Sequence, residues 1–266
     1  MTRISHSRRG TGPPIVLVHG LGSRHQLFAP VQDRLAAEHE VIALDLPGFG
    51  DSPMDPDVTP GPRGYADWLT RWLADNDITR PHVVGSSMGG GIALELGRAG
   101  VAGAVTAFSP VGFYGTTGRR WVQGLLTGLR AATRGAGPVL DRAVEHRAGR
   151  AVLLSAMFGR PGRVTPQAAR LDMAGLAGAP AFAAARDDFD NYVLAPGHDP
   201  GALTRIPVTI AWGTRDIALV HRTQSARARE VFPFAHHVDL PGCGHLPFSD
   251  DPDLCTRTIL DHEATT

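Results

Sequence analysis

The chain contains no lysine, since all 26 basic residues among its 266 are arginines. A protein without lysine can neither hold pyridoxal phosphate as a lysine Schiff base nor form a Walker A phosphate-binding loop. Because 26 acidic residues balance the arginines, the overall charge favours neither nucleic acid nor a membrane surface as a partner. The hydrophobic content of 42% is ordinary for a globular protein.

Cysteine and long apolar runs are also scarce. The two cysteines, Cys243 and Cys255, are too few for a disulfide framework, and we expect free thiols in a reducing cytosol. Residues 1–14 carry arginines but no apolar stretch of the kind found in signal peptides. No apolar run approaches the length of a membrane span. We therefore expect a cytoplasmic protein without stable membrane anchoring.

Short apolar runs alternate with helix-like patterns along most of the chain. This alternation predicts an α/β fold with a doubly wound, mostly parallel sheet and helices on both of its faces. The predicted strands are residues 15–18, 41–44, 81–84, 101–108, 206–212 and 236–240.

The alternation stops after about residue 112. From there to residue 204 only short helical stretches occur, punctuated by Gly and Pro as in Gly135-Ala136-Gly137-Pro138. We therefore predict a core made of residues 1–112 and 205–266, with an inserted helical lid at residues 113–204. Residues 113–204 are called the insertion below.

One strand ends in a serine flanked by glycines. Ser87 has Gly85 and Gly89 two positions to either side, between an apolar strand pattern and a helical pattern. A serine on a sharp strand-to-helix turn is the nucleophile elbow, whose strained backbone requires close neighbours without side chains. The pattern predicts Ser87 as a nucleophile, although small residues also occur in tight turns for packing alone.

A serine nucleophile needs a base and an acid, which follow it in the chain in the order acid, then histidine. Asp216 and His245 each come directly after a predicted strand, at the sheet edge where sites of open α/β sheets form. An oxyanion hole needs two backbone N–H groups. We predict those of Met88, after the nucleophile, and of Leu21, in the loop after the first apolar strand.

Other polar residues have structural explanations. His236 and His237 begin a strand, His221 lies on a predicted helix, and Asp251 or Asp253 suits the N-terminus of the last helix. A catalytic Cys243 would leave the elbow serine unexplained. The acidic cluster at residues 187–190 lacks the ligand spacing of a metal loop, so no metal site is predicted.

Five segments together resemble the α/β-hydrolase family, in its lidded, esterase-like form. The resemblance implies a triad of Ser87, Asp216 and His245, no cofactor, a lid after the sixth family strand, and a structural role for Asp45. The matching segments are residues 19–23 (HGLGS), 45–52 (DLPGFGDS), 85–90 (GSSMGG), 212–216 (WGTRD) and 242–245 (GCGH).

Two features depart from the family pattern. Because only about fourteen residues precede the first buried strand, we expect the first antiparallel strand to be missing, which leaves about seven strands. The proline common after the acid is also absent, since Ile217 follows Asp216.

The resemblance leaves several reactions open. Dehalogenases and epoxide hydrolases of this fold use aspartate at the elbow, so Ser87 argues against both. Serine fits hydrolysis of carboxylic esters, thioesters or lactones, and also C–C bond hydrolysis of vinylogous diketone acids; perhydrolases and hydroxynitrile lyases share the triad. The loop at residues 19–23 reads HGLGS, whereas C–C hydrolases of this family have a Gly-Pro-Gly type of loop. Leu246 follows His245, where those enzymes usually carry tryptophan. Both differences favour an esterase over a C–C hydrolase. A slow-turnover ligand-binding receptor is the alternative that is not an enzyme.

The insertion is rich in arginine. Residues 115–170 contain ten arginines and only two acidic residues, Asp141 and Glu145. Such an excess over a pocket would draw a small anionic substrate. Solvated arginines outside the pocket are the alternative explanation.

Overall fold

The computed structural model describes residues 3–261. Seven strands within this range form one sheet in the order β1-β3-β2-β4-β5-β6-β7. Every neighbouring pair is parallel except β1 with β3, which confirms the predicted doubly wound, mostly parallel sheet. The strands are β1 (His6–Arg9), β2 (Pro14–Val18), β3 (Glu40–Leu44), β4 (His82–Ser86), β5 (Ala104–Phe108), β6 (Val208–Gly213) and β7 (His236–Leu240).

The N-terminal segment differs from the prediction. The count of seven strands is confirmed, but an antiparallel strand does precede the first buried strand, because β1 pairs with β3 and places His6 opposite Leu44. Most side chains of β1 are exposed. No apolar run therefore marks this strand, which is formed by backbone pairing at the sheet edge.

Both faces of the sheet are covered, which explains why the inner strands β2 to β6 are almost entirely buried. Successive residues of β2 contribute to two different apolar clusters, Val16 to one and Leu17 to the other. The helices α1 (Ala29–Leu35) and α9 (Pro252–Leu260) pack on the Leu17 face, whereas α2 (Pro62–Asp75), α3 (Met88–Arg98) and α8 (His221–Val231) pack on the Val16 face. Asp251 caps α9 by accepting from Leu254 N–H at 3.1 Å, as predicted.

The chain between β5 and β6 is helical. It contains α4 (Thr116–Ala143), α5 (Arg147–Leu153), α6 (Pro166–Gly178) and α7 (Phe182–Asp187). The Gly-Ala-Gly-Pro motif does not end a helix but bends α4, where Ala136 has φ −125° and ψ 21°. None of the helices in residues 3–261 is long and apolar enough to span a membrane.

Candidate active site

Ser87 occupies a strained turn between β4 and α3. Its backbone has φ 57° and ψ −115°, a region that residues other than glycine rarely adopt. Three hydrogen bonds hold the turn: Ser87 N–H donates to Phe108 O at 2.9 Å, and Ser87 O accepts from Gly91 N–H and Val111 N–H, both at 3.1 Å. The backbone is therefore that of the predicted elbow.

The flanking glycines are required by close backbone contacts. A Cβ on Gly85 would lie 2.0 Å from Gly89 O, and a Cβ on Gly89 would lie 2.0 Å from Val18 O. Any side chain at either position would push α3 away from β2 and open the turn. The spacing of glycines around Ser87 thus follows from the packing of this helix start against the sheet.

Asp216 and His245 form a buried pair beyond the ends of β6 and β7. His245 Nδ1 lies 2.8 Å from Asp216 Oδ2, and the two residues are each 3% exposed. The other carboxylate oxygen, Oδ1, accepts from Ala218 N–H and Leu219 N–H, both at 2.9 Å. These bonds fix the carboxylate, which leaves Oδ2 to orient the imidazole.

Ser87 and His245 line one cavity, together with Leu21. Within residues 3–261, Ser87 Oγ makes no hydrogen bond with His245. No acceptor within residues 3–261 is recorded for the N–H of Leu21 or of Met88, the first residue of α3. The structure therefore brings together Ser87, His245 and the loop of Leu21, and leaves two backbone donors free near the serine.

His19 braces the loop that carries Leu21. Its Nδ1 lies 2.8 Å from Gly20 O, and its Nε2 accepts from Leu46 N–H at 3.0 Å. Burial lowers the pKa of His19 to about 4, so the ring is neutral and can accept at one nitrogen while it donates at the other. A Cβ on Gly20 would lie 2.9 Å from Ser87 Cβ, which shows how closely this loop approaches the serine.

Asp45 also organises a loop. It is fully buried and accepts from His25 N–H at 2.6 Å and from Asp51 N–H at 2.9 Å. Burial alone would raise the pKa of Asp45, but the hydrogen bonds from His25 and Asp51 lower it below its ordinary value. These contacts fit the structural role implied by the family resemblance.

Asp250 connects the insertion to the loop of His245, a contact that no sequence pattern predicts. Its buried carboxylate accepts from Gly159 N–H at 2.8 Å, Arg160 N–H at 2.6 Å and Gly244 N–H at 2.8 Å. One further bond joins the same segments, from Leu246 N–H to Met157 O at 2.9 Å. The middle of the insertion, near Met157, is therefore fixed against the loop that holds His245.

The remaining chemistry-bearing residues lie outside this arrangement. His221 begins α8, and His236 and His237 begin β7. Both cysteines are free thiols, and burial raises the pKa of Cys243 to about 12, so a thiolate is scarce at neutral pH. Within residues 3–261, no group of three or more ligand side chains is arranged to hold a metal ion.

The cavity above Ser87 has a volume of about 150 Å³ and a mostly apolar wall. Among residues 3–261, no arginine lines the cavity, and the one acidic side chain in its wall is Asp172, from α6. The apolar lining is Leu21, Leu126, Leu129, Ala132, Leu140, Leu153, Leu154, Met157, Phe158, Met173, Leu176 and Leu246.

The arginines of the insertion contact other parts of the protein. Arg130, for example, donates to Ala179 O at 2.7 Å, and its guanidinium lies 4.6 Å from the centre of the Phe182 ring. Others bind acidic residues or carbonyl oxygens on neighbouring segments: Arg119, Arg150, Arg160, Arg163 and Arg170.

Comparison with known proteins places the chain in a family. Residues 15–258 match the alpha/beta hydrolase family. An uncharacterized protein of Mycobacterium tuberculosis is 30% identical over 258 residues, covering 91% of this chain and 73% of that protein. The pimeloyl-[acyl-carrier protein] methyl ester esterase of Aeromonas salmonicida is 36% identical over 97 residues, 35% of this chain and 35% of that protein.

A solved structure has the same fold. A thermophilic esterase from Thermogutta terrifontis superposes with a TM-score of 0.73 at 22% identity, covering 98% of this chain and 93% of that one. Since the family match spans nearly the whole chain and the fold agrees with it, this protein belongs to the alpha/beta hydrolase family.

Proposed function

We propose that this protein is a serine esterase that hydrolyses carboxylic esters of short, largely apolar acids. Ser87 attacks the ester carbonyl, His245 takes the serine proton and passes it to the leaving alcohol, and Asp216 holds His245 in the reactive tautomer. The N–H groups of Leu21 and Met88 stabilise the oxyanion. Water then releases the acid from the acyl-enzyme by the same steps.

The observation that carries this proposal is the strained Ser87 in one cavity with His245, whose Nδ1 lies 2.8 Å from Asp216 Oδ2. A buried carboxylate on that nitrogen leaves Nε2 as the acceptor for a serine proton. A serine elbow disfavours epoxide and haloalkane hydrolysis, in which the family uses aspartate.

The cavity sets the expected size of the acid. An apolar cavity of roughly 150 Å³ can hold benzene, a ring of six carbons, so acyl chains of up to about six carbons should fit without a rearrangement of the insertion. An anionic acid is not favoured by the lining, which has no arginine. The expectation that the arginine excess draws an anionic substrate into the pocket is therefore not part of this proposal.

The test is a panel of p-nitrophenyl esters from acetyl to dodecanoyl, with the Ser87→Ala variant. We expect the highest kcat/KM at four to six carbons and a loss of about four to six orders of magnitude in kcat without Ser87. Ser86→Ala is the matched control, since the hydroxyl of Ser86 is buried next to the elbow without a partner.

The same panel separates the alternatives. Failure on every ester, with cleavage of a dienone acid, would identify a C–C hydrolase. Ligand binding without turnover would identify a receptor. Near-native ester hydrolysis by Ser87→Ala would refute the assignment of the nucleophile.

A further inference from the structure

Asp172 lies on the helix face that covers the loop next to Ser87. Three and four residues further along α6, Gly175 and Leu176 touch this loop: a Cβ on Gly175 would lie 3.2 Å from Gly22 O, and Leu176 Cδ1 is 2.5 Å from where a Cβ on Gly22 would be. Residues with this spacing share one face of a helix. Asp172 therefore faces the cavity from above the loop that carries Leu21.

The carboxyl group of Asp172 has no hydrogen bond or ion pair with any residue from 3 to 261. Arg24 is the one charged group that acts on it electrostatically, but the Arg24 guanidinium already donates to Gln26 Oε1 at 2.7 Å and to the carboxylate of Asp51. The hydroxyl of Ser23, another lining residue, is buried without a partner as well.

Among residues 3–261, the other residues that line the cavity provide no further charged or hydrogen-bonding partner for Asp172. Around the cavity, α4 and α5 present only uncharged side chains, and His245 on the cavity floor is bound to Asp216. Asp172 is partly accessible, but the space it faces is this apolar cavity, and desolvation raises its pKa to about 7. A carboxyl group that faces an apolar cavity without a protein partner is stabilised when a ligand supplies a hydrogen bond.

We propose that Asp172 is a specificity-determining residue, which accepts a hydrogen bond from a hydroxyl or amino group on the acyl chain of the substrate. The preferred substrates are then short esters with an apolar chain that carries a hydrogen-bond donor, rather than plain or anionic acyl esters. This inference rests on the proposed esterase function, because it names the acids that the esterase releases.

The test compares four methyl esters of similar length: hexanoate, 6-hydroxyhexanoate, 6-aminohexanoate and the monoester of adipate. A hydrogen bond to a partly buried carboxyl group supports a preference of about tenfold in kcat/KM, so we expect the hydroxy and amino esters to exceed hexanoate by that factor. Asp172→Leu should reverse the preference. Asp141→Leu, which changes an exposed acid of the same insertion, should leave it unchanged.

The pH dependence provides a second measurement. As Asp172 ionises near pH 7, discrimination against the anionic adipate ester should rise and the preference for the amino ester should grow. Asp172→Asn keeps an acceptor oxygen but cannot ionise, so it should keep the preference for the hydroxy ester and lose this pH dependence. A native enzyme that prefers hexanoate, or an unchanged preference in Asp172→Leu, would overturn the inference while leaving the esterase function intact.

Measurement of ligand affinity tests the role of Asp172 separately from the proposed esterase activity. In the Ser87→Ala background, methyl 6-hydroxyhexanoate should bind about tenfold more tightly than methyl hexanoate, and Asp172→Leu should abolish the difference. Equal affinities in the Ser87→Ala protein would contradict the role of Asp172. Absence of ester turnover by the native protein would instead contradict the proposed function, and the binding difference would still decide the role of Asp172.

Discussion

Replacement of Asp216 by Asn tests the proposed triad through a single atom. Asp216 Oδ1 accepts from Ala218 N–H and Leu219 N–H, and Oδ2 lies 2.8 Å from His245 Nδ1. Asn has only one oxygen, and leaving the two buried N–H groups without an acceptor would cost about 1–3 kcal/mol each. The Asn oxygen should therefore take the place of Oδ1, with the NH₂ group toward His245.

This orientation places the imidazole in the wrong tautomer. Facing an NH₂ donor, His245 Nδ1 must accept, so the ring proton moves to Nε2, which can then no longer take a proton from Ser87. In a Ser-His-Asp triad this exchange lowers kcat by about 10⁴, equivalent to about 5 kcal/mol of barrier height. KM and the unfolding temperature should change little, since Asn has nearly the shape of Asp.

The assay is steady-state hydrolysis of p-nitrophenyl butyrate by the native protein, Asp216→Asn and Asp253→Asn. Asp253 has a side chain 69% exposed and paired with Arg34, so the same chemical change there should leave kcat within twofold of native. A kcat for Asp216→Asn within tenfold of the native value, in a folded protein, would refute the role given to Asp216.

Three further changes probe the supports of the site. Asp250→Ala leaves three backbone N–H groups, one buried and two part-buried, without their acceptor and should lower the free energy of unfolding by roughly 3 kcal/mol in urea titrations; a loss below 1 kcal/mol would contradict its connecting role. Gly20→Ala should lower kcat about tenfold or more by displacing Ser87, whereas Gly124→Ala, with open space around it, should have no effect on kcat. His19 stays neutral in the folded protein, with a pKa of about 4. The free energy of unfolding of the native protein should therefore fall by up to about 3 kcal/mol between pH 6.5 and pH 4. His19→Gln should weaken this pH dependence, and an unchanged pH profile in the variant would contradict the role of His19.

The parts predicted correctly from sequence depend on local backbone requirements. The strand β2, which leads to the loop of Leu21, is almost entirely buried and reads as an apolar run. The turn at Ser87 needs glycines at 85 and 89 because of contacts within a few residues or with the adjacent strand. The positions of Asp216 and His245 follow from the rule that parallel strands end at one edge. The edge strand β1 was not predicted, because its side chains are mostly exposed and form no apolar run.

The contacts of Asp250 and Asp172 could not be predicted for a different reason, because each residue contacts a segment that is distant in the chain. Asp250 binds the backbone of Gly159, 91 residues away, and α6 brings Asp172 over a loop near residue 22. Neither residue spacing nor composition predicts such contacts, since they form only when the insertion packs on the core. A lone acidic residue among many arginines has the pattern of an ordinary solvated helix.

The arginines show why the charge of a segment does not fix the charge of a cavity that it covers. The ten arginines in residues 115–170 predict a positive pocket. However, arginine has a long side chain, and its guanidinium is stabilised by carboxylates and carbonyl oxygens. These acceptors lie on the surfaces between helices. Arg160, for instance, binds Asp251 at 2.9 Å. The groups that reach the cavity are short or apolar side chains on the inner helix faces, and the one charged exception among the helices of the insertion is the acidic Asp172. Under the proposed function, the charge of the cavity wall that the insertion contributes therefore comes from this single carboxyl group and not from the arginines.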